Sequence, residues 1–156
     1  MIAFTISALP ASDLKRIRDL GFDDFGNPVE VTINQDAEGT PLRCCLREAA
    51  VGELVALIAW RPASQDGPYA EVGPVFVHAK ECAGYLAKTA YPKHFRHRRQ
   101  LFRAYGPTGR QVHNQIVEGR DAEAVIADLF DRADIDVIHS RNVLAGCYMF
   151  TIRRAT

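Results

Sequence analysis

The stretch VGELVALIAW, residues 51–60, decides the fold. After Gly52 and Glu53 every position up to Trp60 is apolar, too short a run for a membrane span and too continuous for a half-exposed strand. Its Leu and Ala content would also suit a helix, but Gly52 on one side and the Arg61-Pro62 step on the other favour a strand. The pattern therefore predicts a strand buried on both faces in the middle of a sheet. It marks a core and carries no chemistry.

On the N-terminal side, Ile2, Phe4 and Ile6 alternate with small or polar residues, as in a half-buried strand. Ser12 is placed to cap a helix over 13–20, with Leu14, Ile17 and Leu20 as its apolar stripe and Gly21 just past its end. A turn at Gly26-Asn27-Pro28 leads into a strand carrying Val29, Val31 and Ile33, and 36–41 reads as loop. The segment LRCCLRE at 42–48 is either a short strand or a tight connection.

On the C-terminal side, residues 61–73 (RPASQDGPYAEVG) form an irregular loop, long enough to suggest a functional segment. A strand over 74–79 ends on His78, and 80–98 reads as loop with a short helix. Strands at 100–105 and 110–117 flank the turn quartet Gly106-Pro107-Thr108-Gly109. Asp121 is placed to cap a helix over 122–131, whose stripe is Val125, Ile126, Leu129 and Phe130; strands at 136–141 and 147–154 close the chain. No repeat or linker divides it. The expected architecture is α+β, one domain over residues 1–156, with a twisted, mainly antiparallel sheet and two principal helices.

Nineteen basic residues balance nineteen acidic ones, which gives no overall electrostatic reason to expect nucleic acid or an anionic membrane as partner. The first residues lack the basic start and apolar run of a secretory signal, and no apolar run approaches the ~20 residues of a bilayer span. A soluble cytoplasmic protein is expected. Its four cysteines, Cys44, Cys45, Cys82 and Cys147, are then reduced thiols.

Several short stretches together resemble a known family. They are Pro41-Leu42-Arg43-Cys44-Cys45-Leu46, Gly52-Glu53, Gly67-Pro68-Tyr69, Gly73-Pro74-Val75-Phe76-Val77, Arg103-Ala104-Tyr105, His139-Ser140-Arg141-Asn142 and Gly146-Cys147-Tyr148. In order along nearly the whole chain they resemble the bacterial domain-of-unknown-function family 1203. The resemblance implies a small bacterial protein without an established activity.

Four constellations are candidates for chemistry. Cys45 is a candidate nucleophile with His78 or His139 as its base, and Arg43 and Arg47 would favour its thiolate if they face it. The alternative for Cys45 is a buried small hydrophobe. The pairs His78/Cys82 and His139/Cys147 would supply soft metal ligands if they converged, but neither has the spacing of a zinc signature. The basic run KHFRHRR at 93–99 mixes charge with an aromatic ring, although a solvated face explains it better. Finally, Glu53, Tyr69, His78, Tyr105, Arg141 and Asn142 lie at predicted strand ends or in loops, where binding residues concentrate.

No Gly-rich phosphate loop, nucleophile elbow or paired-carboxylate motif is present, and no cofactor or metal is assigned. The leading expectation is a small polar or anionic ligand bound in a pocket at one sheet end. A thiol-dependent enzyme using Cys45 is the alternative, and a homodimeric interaction module without pocket chemistry is the third.

Overall fold

A computed structural model describes residues 2–63 and 67–156. Ten strands and two α-helices are present among them, and the strands divide into two sheets of five. The α+β class and the antiparallel pairing agree with the sequence patterns. The single sheet they suggested is replaced by two.

The first sheet runs β1 (Phe4–Ser7), β10 (Tyr148–Arg154), β9 (Val137–Arg141), β7 (Arg99–Tyr105), β8 (Gln111–Glu118), antiparallel throughout. Helix α2 (Ala122–Phe130) shares its apolar core: Ile126, Leu129 and Phe130 cluster with Phe102, Ile138, Phe150 and Ile152. The second sheet runs β2 (Glu30–Ile33), β5 (Leu54–Trp60), β6 (Gly73–His78), β3 (Pro41–Leu42), β4 (Arg47–Glu48), with only the β3–β6 pair parallel. Leu14 and Ile17 of helix α1 (Ala11–Leu20) cluster with Leu42, Val55, Ile58, Val75 and Val77 of that sheet.

The stretch at 51–60 does form a strand, but it lies second from the sheet edge and is covered unevenly. Val55, Ala56 and Ile58 are buried, Leu57 is half-buried and Leu54 is exposed. The strands buried along both faces are β9 and, from Tyr148 to Thr151 and Ile152, β10. These interior strands carry His139, Ser140, Arg141 and Thr151, all buried, and such polar residues conceal a two-faced strand from any reading based on hydrophobicity.

Local signals fared unevenly. Gly21 ends α1 in the left-handed conformation (φ 75°), its N–H donating to Ile17 O at 2.9 Å. The cap assignments change: Ser12 lies inside α1, which Pro10 precedes, and Asp121 makes no capping bond because a 3-10 turn, Gly119–Asp121, leads into α2. Leu20 of the predicted stripe is exposed. Gly119 is required by close approach, since a Cβ there would stand 2.1 Å from Phe95 O. The segment 42–48 is the tight connection: β3, a turn, then β4. No helix among the described residues is long and apolar enough to cross a membrane.

Buried Asp23 pins the α1–β2 connection to β5. Its carboxylate accepts from the N–H groups of Phe25 (2.9 Å), Asn27 (3.0 Å) and Ala59 (2.8 Å), and from the Asn27 side chain. Burial opposes the charge, but these donors outweigh it and hold the carboxyl below its ordinary value.

Two predictions follow from this packing. Ile58→Asp should prevent cooperative folding, because it buries an unpaired carboxylate, whereas Leu57→Asp should retain a cooperative urea transition. Equal loss of folding in both variants would contradict the uneven covering of β5. Asp23→Ala should cost about 2 kcal/mol at neutral pH, read from urea unfolding. Because the folded carboxyl is depressed, its stabilisation is present above the unfolded value of about 4 and disappears as pH falls through the lower folded value. The gap between wild type and variant should therefore close in acid.

Candidate metal centre

The site begins with the turn between β3 and β4. Leu46 closes it with φ 58°, a left-handed conformation unusual for leucine, and its N–H donates to Leu42 O at 2.9 Å. The turn is clamped from three directions. Arg43 N–H donates to Phe76 O at 2.9 Å, and the buried Arg43 guanidinium donates to Tyr148 O at 2.8 Å and Pro41 O at 2.6 Å. Leu46 enters the α2-side core, while Leu42 and Cys44 belong to the α1-side core. The adjacent Cys44-Cys45 pair is thus fixed where the two cores meet.

Strand β6, which ends on His78 as the sequence pattern anticipated, brings that residue to this turn. Its Nδ1 lies 3.3 Å from Cys44 Sγ and 3.6 Å from Cys45 Sγ, and its backbone N–H donates to Cys44 Sγ at 3.2 Å. The two sulfurs are 3.9 Å apart. Cys82, on the irregular segment after β6, completes the group: the donor atoms of Cys44, Cys45, His78 and Cys82 all lie within 4.8 Å of one another. Cys44 is buried and the other three are partly buried. All four cysteines of the chain are free thiols.

The far side of the imidazole is equally defined. His78 Nε2 lies 2.8 Å from Glu53 Oε1, at the start of β5, and Arg47 of β4 pairs with the same carboxylate. Ala50 N–H adds a further bond to Glu53 at 2.7 Å. Arg47, then Ala50 N–H and His78, hold the Glu53 carboxyl down at about 2 against the opposing effect of burial. Arg47 Nη2 also lies 2.9 Å from His78 Nε2, so this nitrogen sits between a guanidinium and a carboxylate while Nδ1 faces the sulfurs. Arg18 of α1 fixes the residue from behind, its Nε and Nη2 donating to His78 O at 3.1 and 2.9 Å.

Charge is distributed unequally over the thiols. Cys44 donates to Cys45, which lowers the Cys45 thiol against burial, with Arg47 helping; the same bond, together with burial, raises Cys44. Burial also raises Cys82. Of the two arginines expected to act on Cys45, Arg47 does so, while Arg43 turns away to main-chain carbonyls.

The residues singled out from sequence separate into distinct places. Cys45, Glu53 and His78 come together here. His139 does not join them: it is fully buried on β9, with Tyr105 and Tyr148 rings centred 5.0 and 5.2 Å away. Burial, then Arg141, Arg153 and Arg103, push its imidazole down to about 3, so it is neutral at physiological pH. Accordingly, the imidazole beside Cys45 is that of His78, and the pairs His78/Cys82 and His139/Cys147 do not form one group. Arg141 and Tyr105 lie near His139, Asn142 accepts from Arg98 at 2.6 Å, and Tyr69 sits in a surface 3-10 turn. The basic run is absorbed by the fold: Phe95 is core, and Arg96, Arg98 and Arg99 pair with Glu123, Glu48 and Glu118.

Cys44 and Cys82 are the contributors that sequence alone did not unite with Cys45. The available signals were the doubled cysteine and the four-residue step from His78 to Cys82. What the sequence lacked was the parallel β3–β6 pairing that brings these segments together.

A two-sheet α+β protein with a Cys/His cluster at the end of one sheet is thus defined by its geometry. A family model described as a protein of unknown function (DUF1203) matches residues 39–154, and the chain belongs to that family. No curated protein and no solved structure matches it. The matched segment carries all four members of the cluster and omits β1, α1 and β2.

Proposed function

We propose that Cys44, Cys45, His78 and Cys82 bind a single zinc-class divalent ion. One observation carries the reading: four donors of soft or borderline type, supplied by three chain segments, stand within 4.8 Å of one another, and the separations among Cys44, Cys45 and His78 match tetrahedral spacing. Bonds of about 2.3 Å to sulfur and about 2.0 Å to nitrogen imply S···S edges of about 3.8 Å and S···N edges of about 3.5 Å. The corresponding separations are 3.9 Å between Cys44 and Cys45, and 3.3 and 3.6 Å from these sulfurs to His78 Nδ1. The Glu53–His78 contact supplies the carboxylate that commonly orients a ligating imidazole. A Cys₃His set fills a tetrahedral ion's coordination and suits a structural centre, here joining the β3–β4 turn, β6 and the segment carrying Cys82. A reducing compartment such as the cytoplasm accords with this reading, because the ligands must remain thiols.

A second reading is a small polar or anionic ligand at another place. It is supported by the guanidiniums of Arg103 and Arg141, which meet on Glu71 beside a cavity of about 150 Å³.

The metal reading is tested by native mass spectrometry and thermal melting with zinc and with a chelator. One bound ion per chain is expected, with chelation lowering Tm, since binding to the folded site adds to folding free energy. Cys45→Ala and His78→Ala should lose the ion and Cys147→Ala should retain it. Zinc-free protein with an unchanged Tm, labelling rapidly at Cys45 with iodoacetamide at neutral pH, would favour thiol chemistry instead.

A further inference from the structure

The face of β7 and β9 on the side of His139 carries two guanidiniums, Arg141 buried and Arg103 partly buried. The register pairs Arg103 with His139 and Leu101 with Arg141, so Arg103, His139 and Arg141 point to one side of the sheet. Arg141 is 5% exposed, and its guanidinium donates to Gly146 O at 3.0 Å and pairs with Glu71 at 3.0 Å. Its Nε has no hydrogen-bond partner among the described residues. Arg103 reaches the other oxygen of the same Glu71 carboxylate at 2.9 Å. Among the described residues two guanidiniums therefore share one carboxylate, a surplus of positive charge in a partly buried place.

A cavity of about 150 Å³ adjoins Arg141 and Glu71, and Trp60, Pro62 and Tyr148 contribute to its wall. That is the liquid volume of about five waters, room for an oxyanion group but not for a nucleotide. Glu71 itself is half exposed and precedes β6 in the irregular connection from β5, whereas both arginines stand on strands, so its side chain is the one that can leave without disturbing the sheet.

We infer that this is a binding site for a small oxyanion, a carboxylate or phosphate group, and that the Glu71 side chain is an internal competitor which the ligand displaces. The inference rests on the second reading above and adds the role of Glu71. Each guanidinium can present paired donors to an incoming oxyanion, and the surplus charge favours a dianion over the single carboxylate it replaces. Affinity of the native protein is then the difference between two bound carboxylate-like states. Removing the Glu71 charge should strengthen external binding instead of weakening it.

The chain has one tryptophan, Trp60, whose indole fluorescence and amide-region NMR signal report directly on the cavity. The purified protein is titrated with inorganic phosphate, and separately with acetate, at constant ionic strength. A saturable Trp60 response is expected, with phosphate binding more tightly than acetate. Glu71→Gln should tighten phosphate binding by about tenfold, and Arg103→Gln should weaken it by at least about tenfold. Saturable binding that Glu71→Gln leaves unchanged or weakens would overturn the competitor role while leaving the oxyanion site intact. No saturable response to either anion in the wild type and in Glu71→Gln would overturn both. Should Glu71→Gln fail to fold, phosphate protection of Arg103 and Arg141 from phenylglyoxal in the wild type decides the site. Competition is then read from Glu71→Asp, whose shorter carboxylate should bridge the arginines less well and tighten phosphate binding; unchanged affinity would overturn the competitor role.

Discussion

The structure depends on one buried cation, Arg43, holding a four-residue turn between two cores. Its guanidinium binds main-chain carbonyls of β10 and of Pro41, and burial pulls its pKa down to about 10 without removing its charge at neutral pH. Those bonds couple the second sheet to an interior strand of the first. The same turn holds Leu46 in a conformation that leucine ordinarily avoids, and it buries Leu46 on the α2 side and Leu42 on the α1 side. The outcome is that Cys44 and Cys45 have little freedom to move. Free cysteines in a core are common, but a rigid doubled cysteine facing an imidazole nitrogen is a preorganised donor set.

Electrostatics around the cluster reinforce this arrangement. Arg47 and the Ala50 N–H keep Glu53 ionised, and Glu53 and Arg47 together meet His78 at Nε2, which leaves Nδ1 facing the sulfurs. Three segments with little regular structure between them are thereby brought to a common point at the end of β6. The polar seam on β7 and β9 is built on a different principle. There an excess of guanidinium is set against one half-exposed carboxylate, and His139 stays neutral in the resulting field. The first place suits a cation held by sulfur and nitrogen; the second suits an anion.

Much of the scaffold was legible from period and punctuation. The β7–β8 hairpin, both helices, the strand ending on His78 and the glycine stop after α1 all follow from local signals. The division into two sheets was not legible, because it depends on β9 and β10, whose buried His139, Ser140, Arg141 and Thr151 resemble surface residues in a list. The apolar run at 51–60 was over-read for the complementary reason: a hydrophobic strand near a sheet edge can remain partly uncovered. Within the site, Cys45, Glu53 and His78 were recognisable as residue types at strand ends. Their union with Cys44 and Cys82, and the exclusion of His139, required the parallel β3–β6 register, a long-range pairing that no local pattern encodes.

The central claim is that three sulfurs and one imidazole nitrogen share a single ion. Zinc K-edge X-ray absorption of the zinc-loaded protein tests it most directly, because the first-shell scattering counts sulfur against lighter atoms. A shell of three sulfurs at about 2.3 Å and one nitrogen at about 2.0 Å is the result expected. A shell of oxygen and nitrogen alone would place the ion elsewhere and contradict the assignment of Cys44, Cys45, His78 and Cys82 as its ligands.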